Sequence, residues 1–171
     1  MTQSLAESLT QRLADAVLEQ IRFRDELTLV LPKERLIASL RTARELGFSM
    51  LTDLTAIDRH PASPRFEVVY LLMSPQARSR VRFKVRVDEQ DAALPSATLV
   101  WPGAGWSERE VFDLFGIRFD GHPDLKRILL PDDWEGHPLR KDFPLTEEPV
   151  EFIGHTPKVP SEIIPKSPPK P

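Results

Sequence analysis

Proline is the residue that most constrains this chain, because its distribution is uneven. Eleven of the seventeen prolines lie at or after residue 121, in less than a third of the 171-residue sequence. Proline lacks a backbone N–H and its ring fixes φ, so a segment this rich in proline cannot hold long helices or central strands. We therefore predict a boundary near residue 120. Residues 121–171 are expected to be extended or looped, and their last part, "PKVPSEIIPKSPPKP", is also rich in lysine.

The N-terminal part of the chain has the pattern of two helices. Ser4 followed by Glu7 has the spacing of a capping box. Apolar residues at helical spacing follow, at Leu5, Leu9, Leu13, Val17 and Ile21. These features predict an amphipathic helix from about residue 4 to residue 21. Pro32 suits a first helical position and Gly47 suits a helix end, which predicts a second helix between them.

Strand patterns dominate the next part of the chain. They occur at residues 27–31, 50–58, 66–73, 80–87 and 97–101. Ser107 and Glu110 again have capping-box spacing, which predicts a short helix at 108–115 that ends at Gly116. Helices that precede a run of strands are typical of α+β domains. We therefore predict that residues 1–120 form a mostly antiparallel sheet with helices on one face, followed by the extended proline-rich segment.

Composition excludes several classes of function. The chain has no cysteine, so it contains no disulfide, cysteine nucleophile or thiolate-ligated zinc or iron–sulfur site. Its formal net charge is −3 and charges of both signs are spread along it, so no basic excess favours nonspecific nucleic-acid binding. No apolar run approaches the roughly 20 residues that span a bilayer, and the N-terminus lacks the pattern of a secretion signal. We expect a cytoplasmic chain that reaches a membrane only through a partner.

The stretch "GHPDLKRILLPDDWEGHPLRKDFPL", residues 121–145, contains Gly-His-Pro twice among many charged residues. One interpretation is a metal site formed by His122, His137 and a nearby carboxylate from Asp124, Asp132 or Glu135. Fifteen positions separate the two histidines in an extended segment, so the spacing is not specific for a metal. The tripeptide from His122 to Asp124 also occurs in J-domain co-chaperones. That function requires a basic helix before the loop, whereas the preceding "SEREVFDLFGIRFD" is acidic.

Carboxylates near the last predicted helix are candidates for acid–base catalysis. They are Glu108, Glu110 and Asp113. The capping box, however, explains Glu110, and acidic side chains in the first turn of a helix interact favourably with the helix dipole. No serine or lysine nucleophile has an evident base nearby, and no glycine-rich phosphate loop is present. We therefore expect no independent catalytic site in this chain.

The strand at 80–87 alternates strictly between apolar and basic residues. Its basic face consists of Arg80, Arg82, Lys84 and Arg86. Binding of RNA or lipid headgroups is one interpretation of this face, although it lacks aromatic residues for stacking. The interpretation we favour is a solvated or protein-docking face whose positive charge opposes edge-to-edge pairing of sheets.

Aromatic and arginine side chains are interleaved through the proline-rich segment, for example at Trp134, Phe143, Arg127 and Arg140. A segment with so much proline cannot bury these side chains in a core of its own. Aromatic and arginine anchors are enriched at protein–protein interfaces. We therefore predict that the segment lies across another protein. Arg140 is suited to a bidentate pair with a carboxylate of that partner, which lysine does not reproduce.

Residues 108–145, "EREVFDLFGIRFDGHPDLKRILLPDDWEGHPLRKDFPL", closely resemble the signature region of the 30-kilodalton subunit family of respiratory complex I, the C subunits of NADH:quinone oxidoreductases. The family pattern combines Glu-Arg-Glu, Asp-Leu, Gly-Ile, His-Pro, Arg-Ile-Leu and Pro-Leu-Arg-Lys-Asp, and the chain matches it throughout. The match extends from about Trp101 to Leu145, and the N-terminal two-thirds agree only in element order. The residues that we predict at a partner interface are Glu108, Arg109, Glu110, Asp113, His122, Pro123, Arg127, Trp134, His137, Arg140, Lys141 and Asp142.

The resemblance implies a cofactor-free, non-catalytic subunit of the peripheral arm, on the cytoplasmic face of the bacterial inner membrane. It implies packing against the quinone-site subunit, which is related to hydrogenase large subunits, and near iron–sulfur subunits. FMN and the clusters are expected in those partners, in a complex that passes electrons from NADH to a quinone and translocates protons. The alternative is the equivalent subunit of a membrane-bound hydrogenase, or of a dehydrogenase that uses ferredoxin or reduced coenzyme F₄₂₀.

Overall fold

The computed structural model describes residues 4–144, and their architecture is the α+β fold that the sequence predicts. The helices are α1 (Leu5–Arg12), α2 (Leu36–Glu45) and α3 (Ala104–Phe115). The strands are β1 (Glu19–Phe23), β2 (Glu26–Leu31), β3 (Met50–Asp58), β4 (Phe66–Ser74), β5 (Ser79–Val87), β6 (Ala93–Pro95) and β7 (Arg118–Asp120). Short 3₁₀ turns lie at Lys33–Arg35, Glu89–Asp91 and Ala97–Leu99. The predictions for residues 145–171 concern a part of the chain outside the described residues.

Five strands form one sheet in the order β1-β2-β5-β4-β3. Three of its four neighbouring pairs are antiparallel, and the β2–β5 pair is parallel. The short strands β6 and β7 form a separate parallel pair. The prediction of a mostly antiparallel sheet is therefore confirmed.

The core lies between one face of this sheet and the helices. Side chains alternate between the two faces of a strand, so β4 and β5 send one set of residues inward: Phe66, Val68, Tyr70, Leu72, Val81, Phe83 and Val85. Helical residues of the same core include Leu9, Leu40, Val111 and Phe115. The predicted placement of helices on one face is confirmed. Between residues 4 and 144, no helix is long and apolar enough to cross a bilayer.

The opposite face of β5 carries the predicted basic row, and acidic side chains of neighbouring strands match most of it. Glu67 of β4 lies within ion-pair distance of both Lys84 and Arg86. Arg82 pairs with Glu26 of β2 at 2.8 Å. Cross-strand ion pairs of this kind give the row a role within the sheet.

The predicted first helix is too long. Its capping box is confirmed, because Ser4 Oγ accepts the N–H of Glu7 at 3.2 Å and Glu7 Oε2 accepts the N–H of Ser4 at 3.0 Å. The helix ends at Arg12, however, and residues 19–23 form strand β1 instead. That strand is hydrogen-bonded along its length to β2, and this tertiary pairing overrides the local helical pattern.

Two predictions near α3 are also wrong. Residues 97–101 are not a strand, because Ala97–Leu99 forms a 3₁₀ turn that begins at Ser96, whose Oγ accepts the N–H of Thr98. Ser107 does not cap a helix either, since α3 starts at Ala104, four residues before the predicted start, and its N-cap is Gly103. The predicted helix end at Gly116 is confirmed by its left-handed φ of +74°.

Candidate functional site

The region predicted to act as an interface consists of α3 and the residues that follow β7. Residues 121–144, called here the C-terminal segment, form turns and bends without a helix or strand, as the proline content predicts. Side chains of α3 and of the sheet hold the segment at two buried carboxylates, Asp113 and Asp58. Both carboxylates are saturated with hydrogen-bond donors.

Asp113 is fully buried near the end of α3. Its Oδ2 accepts the backbone N–H groups of Ile128 at 3.0 Å, Leu129 at 2.8 Å and Leu130 at 2.9 Å. Its Oδ1 accepts from Arg127 Nη1 at 2.7 Å. Burial alone would raise the pKa of Asp113, but the three N–H groups and the guanidinium outweigh it and hold the pKa at about 2. The side chain is therefore a charged anchor for the segment.

Arg127 extends this anchor to a more distant part of the segment. Its Nη2 donates to the carbonyl oxygens of Trp134 at 3.0 Å and Gly136 at 3.2 Å. A single guanidinium thus joins α3 to two stretches of the C-terminal segment. The indole N–H of Trp134 is buried and has no hydrogen-bond partner within the described part of the chain.

The C-terminal segment also caps the last turn of α3. The last four carbonyl groups of an α-helix have no partner within the helix, and here they belong to residues 112–115. The N–H of Gly116 bonds to the first of them. The next three accept, in order, from His137 Nδ1 at 2.8 Å, the N–H of Leu139 at 3.1 Å and Arg140 Nε at 2.7 Å. The last three carbonyl groups of the helix therefore have these hydrogen-bond partners only when the segment is in place.

Gly116 is required where the segment crosses the helix end. A Cβ at this position would lie 2.5 Å from His137 Nε2 and 2.7 Å from Arg140 Nη2. Burial lowers the pKa of His137, and the nearby arginines add to this effect. The neutral imidazole therefore keeps its proton on Nδ1, the atom that donates to the carbonyl of Asp113.

The second anchor lies where β3 ends and β4 begins. Arg65 is buried and donates through Nε and Nη2 to the carboxylate of Asp58, at 3.1 and 2.8 Å. The same guanidinium binds Asp142 of the segment at 2.5 and 3.0 Å and Glu89 at 2.6 Å. Asp58 Oδ2 also accepts the backbone N–H of Lys141 at 2.8 Å. The end of the segment is thus fixed to the corner of the sheet.

Charge and stacking reinforce this second anchor. Burial would raise the pKa of Asp58, but Arg65 and the N–H groups of Lys141 and His60 hold the pKa well below its usual range. The guanidinium of Arg65 lies 5.1 Å from the centre of the Phe66 ring, and that of Arg140 lies 5.3 Å from it. Both distances are within the range of cation–π attraction.

Glu108 and His122 fix the start of α3 rather than its end. Glu108 is fully buried and accepts from Ser96 Oγ and the N–H of Ala97, both at 2.6 Å, while burial raises its pKa. His122 Nδ1 accepts the N–H of Asp124, so its proton is on Nε2, which donates to the carbonyl of Gly105 at 3.0 Å. Both predicted site residues therefore serve local structure.

Several apolar side chains of this region remain exposed. Trp106 is 65% exposed and Leu129 is 62% exposed, and Ile128 lies beside Leu129 in the chain. Arg109 links them, because its guanidinium lies 5.3 Å from the Trp106 ring and donates to the carbonyl of Arg127 at 2.8 Å. Trp106, Arg109, Ile128 and Leu129 are called here the docking face, after the partner interface that the sequence predicts.

The structure divides the predicted interface residues into two groups. Side chains that bond within the chain are Glu108, Arg109, Asp113, His122, Arg127, His137, Arg140 and Asp142. Glu110, Pro123 and Lys141 are exposed, and Trp134 is half-buried. Arg140 donates to the carbonyl of Phe115 within its own chain, so its Nε is not free for the predicted pair with a partner. Whether any of these residues contacts a partner stays a prediction.

Sequence reasoning missed Asp58, Arg65 and Trp106. Asp58 ends one apolar strand and Arg65 directly precedes the next, so a charged residue at each border of a long loop was the available signal. Trp106 lies in the glycine-containing stretch just before Glu108. Its exposure depends on where α3 begins, which the sequence pattern placed too late.

This arrangement is suited to presenting a rigid surface. The buried carboxylates of Asp113 and Asp58 are occupied by donors of their own chain. In the part of the chain that the structure describes, no three His, Asp or Glu side chains converge as metal ligands. What remains available on the outside is the apolar and cationic docking face.

Comparisons with known proteins agree on one family. The profile of the family described as "Respiratory-chain NADH dehydrogenase, 30 Kd subunit" matches residues 29–149. The C subunit of the NADH-quinone oxidoreductase of Roseiflexus sp. (strain RS-1) is 49% identical over 152 residues, which cover 87% of each chain. That of Citrifermentans bemidjiense is 47% identical over 138 residues, which cover 80% of this chain and 86% of the relative.

Two solved structures share the fold. The trypsin-resistant fragment of Nqo5 has a TM-score of 0.64 and 37% identity, and the match covers 71% of this chain and 99% of that chain. A chain from the membrane-bound sulfane sulfur reductase, an archaeal respiratory membrane complex, has a TM-score of 0.72 and 27% identity. This second match covers 82% of this chain and 84% of that chain.

Proposed function

The chain belongs to the 30-kilodalton subunit family of respiratory-chain NADH dehydrogenases, and from this membership we propose that it is a cofactor-free docking subunit. In this proposal it joins the quinone-site subunit to iron–sulfur subunits in the peripheral arm of a proton-translocating NADH:quinone oxidoreductase. The complex would hold this arm at the cytoplasmic face of the inner membrane. FMN, the iron–sulfur clusters and the quinone site would belong to the other chains.

The observation that carries the proposal is the docking face. Tryptophan and arginine are the residues that contribute most to binding energy at protein interfaces, and Arg109 lies over Trp106 beside exposed Ile128 and Leu129. The backbone beneath this face is already fixed by Asp113, which accepts the N–H groups of Ile128 and Leu129. A surface ordered before binding loses little conformational entropy on association.

The composition supports the cofactor-free part of the proposal. Iron–sulfur clusters are held mainly by cysteine thiolates, and the sequence contains no cysteine. Electron transfer through such clusters would therefore take place in other chains. A role in holding those chains together requires a stable surface, which the two carboxylate anchors provide.

The test compares Leu129→Asp in the docking face with Leu18→Asp as a matched control. Leu18 is 69% exposed and Leu129 is 62% exposed, so both substitutions place a charge on the surface of the free chain. If Leu129 is buried by a partner, the charge should reduce association at least about tenfold, which corresponds to about 1.4 kcal/mol. The amount of assembled complex is measured on a native gel, and NADH:quinone activity is measured on the same membranes. We expect little complex for Leu129→Asp, normal amounts for Leu18→Asp, and normal turnover per assembled complex.

Two outcomes would contradict the proposal. Normal assembly of Leu129→Asp, equal to that of Leu18→Asp, would show that the docking face is not an interface. Full assembly of Leu129→Asp with loss of quinone reduction would place this face in the reaction path.

A second candidate is the equivalent subunit of a related membrane-bound complex, such as a hydrogenase. The structural similarity to a chain of the sulfane sulfur reductase favours keeping this candidate, whereas the identity to the C subunits of NADH-quinone oxidoreductases is higher. Purification of the intact complex distinguishes the two, because an NADH-binding flavoprotein among the co-purified subunits is expected only for the first.

A further inference from the structure

A different surface lies at the end of the sheet that is opposite the Asp58–Arg65 anchor. The β1–β2 turn, the β4–β5 turn and the start of α1 enclose an open groove of about 740 Å³. The Asp58–Arg65 anchor adjoins Phe66, the first residue of β4, whereas the groove reaches Met73 near the end of that strand. A strand rises about 3.3 Å per residue, so this length of β4 separates the groove from the anchor by roughly 25 Å. The groove is therefore separate from this anchor, and its lining shares no residue with the docking face.

Four exposed arginines line this groove, called here the arginine groove: Arg22, Arg24, Arg78 and Arg80. Within residues 4–144, none of their guanidinium groups forms a hydrogen bond or ion pair. This differs from the neighbouring row of β5, where Arg82 and Arg86 pair with acidic residues of adjacent strands. Two acidic residues also line the groove, but Glu26 is already paired with Arg82. Positive charge therefore prevails there.

The backbone at the rim of the groove is strained. Three non-glycine residues in the described part of the chain have left-handed φ values, namely Arg24 at 48°, Asp25 at 63° and Arg78 at 48°. All three line the arginine groove. Glycine and asparagine adopt this conformation at lower cost and are the usual residues of such turns. Strained residues of this kind concentrate at functional sites, and here the strain places two guanidinium groups at the rim.

We propose that the arginine groove binds an acidic segment of a partner protein. Guanidinium groups bind carboxylates through two parallel hydrogen bonds, and Arg24 and Arg78 face the groove from its two turns. Leu5, Ala6, Met73 and Ala77 also line it and provide apolar contact for the backbone of a peptide. The charge of Asp25 within the groove and the formal net charge of −3 of the whole chain oppose binding to an extended polyanion such as a membrane surface. This inference goes beyond the proposed function and does not depend on it.

The test uses the full chain and a fluorescein-labelled peptide of alternating glutamate and alanine, with binding measured by fluorescence anisotropy at low ionic strength. The variant is the double substitution Arg24→Gly with Arg78→Gly. Glycine removes both guanidinium groups and relieves both strained φ angles, so the variant should unfold at the same or a higher urea concentration. The matched control is Arg41→Ala with Arg118→Ala, which removes two exposed charges outside the groove.

We expect the glycine variant to bind the peptide at least tenfold more weakly than the natural chain, and the alanine control to bind it normally. Equal weakening in both double variants would mean that general charge attraction explains the binding, which overturns the proposal. Unchanged binding by the glycine variant, or no binding by the natural chain, would also overturn it. Vesicles with anionic phosphatidylglycerol provide the remaining comparison. If they bind through Arg24 and Arg78 in preference to the peptide, the groove recognises a membrane surface and the proposal is wrong.

Discussion

At the scale of single residues, buried charged side chains hold the C-terminal segment in place, whereas apolar side chains hold the helices on the sheet. Asp113 has lost all contact with solvent, yet its carboxylate remains charged because four donors surround it. Removal of one partner of such a group leaves the others without compensation and costs far more than removal of a surface pair. The C-terminal segment is therefore held by directional bonds that specify one position for it.

Asp113→Asn is expected to lower the free energy of unfolding at neutral pH by roughly 3 kcal/mol, because Arg127 loses its buried counter-charge. The effect should depend on pH. The pKa of Asp113 is about 2 in the folded chain against an ordinary value of 3.8, so its stabilisation is complete above about pH 4 and is lost as pH falls toward 2. Urea denaturation at several pH values should show that the variant loses less stability over this range, by roughly 2 kcal/mol.

The control for this prediction is Asp124→Asn. Asp124 pairs with Lys126 at 2.8 Å on the surface, where both side chains are mostly exposed. We expect no measurable change in the stability of this variant at neutral pH. An Asp113→Asn chain with the acid sensitivity of the natural chain would show that another group controls unfolding in this range.

At the scale of elements, some local signals in the sequence were reliable, whereas the capping-box spacing at Ser107 was misleading and long-range contacts were not indicated at all. The capping box at Ser4 and the helix end at Gly116 depend on neighbours within a few positions, and both predictions are confirmed. Strand β1 was missed because its turn contains Arg24 and Asp25 where hairpin turns usually have asparagine and glycine. The pair between Arg65 and Asp142 joins residues 77 positions apart, and no periodicity in the sequence indicates it.

Two glycines with left-handed φ allow the energetic cost of backbone strain to be separated from that of close packing. Gly116 has φ +74°, and a Cβ there would lie 2.5 Å from His137 Nε2, whereas Gly121 has φ +80° and nothing within 4 Å of the same position. Substitution of either glycine by alanine should cost about 1–2 kcal/mol for the left-handed conformation. Gly116→Ala should cost more than Gly121→Ala, because it also displaces the side chains that cap the helix. Thermal or urea unfolding of the two variants measures the difference, and equal losses would show that His137 and Arg140 move aside freely.

At the scale of the whole molecule, one sheet connects two surfaces of different chemistry. One end holds the C-terminal segment at Asp58 and Arg65, and the other carries the arginine groove. The proline pattern correctly indicated a segment without helix or strand in residues 121–144. It did not indicate that this segment completes the helix end and the sheet corner of residues 1–120. Nothing in the sequence distinguishes Asp113 and Asp58 from exposed aspartates, because the backbone N–H groups of the segment that bind them come from distant residues.

The two anchors of the segment should act independently, and trypsin can report on each one. Asp142→Ala removes one partner of Arg65 but leaves the buried pair of Arg65 with Asp58. Cleavage after Arg140 and Lys141 should therefore become several-fold faster, whereas cleavage after Lys126 and Arg127 should not change because Asp113 still holds the backbone that follows. Mass spectrometry of the fragments over time distinguishes the two regions, with Asp124→Ala as a surface control that should resemble the natural chain. Simultaneous acceleration at both regions in Asp142→Ala would mean that the segment is released as one unit. In that case the interface that we propose would depend on both carboxylates together, and a change at the sheet corner would disturb the docking face through the whole length of the segment.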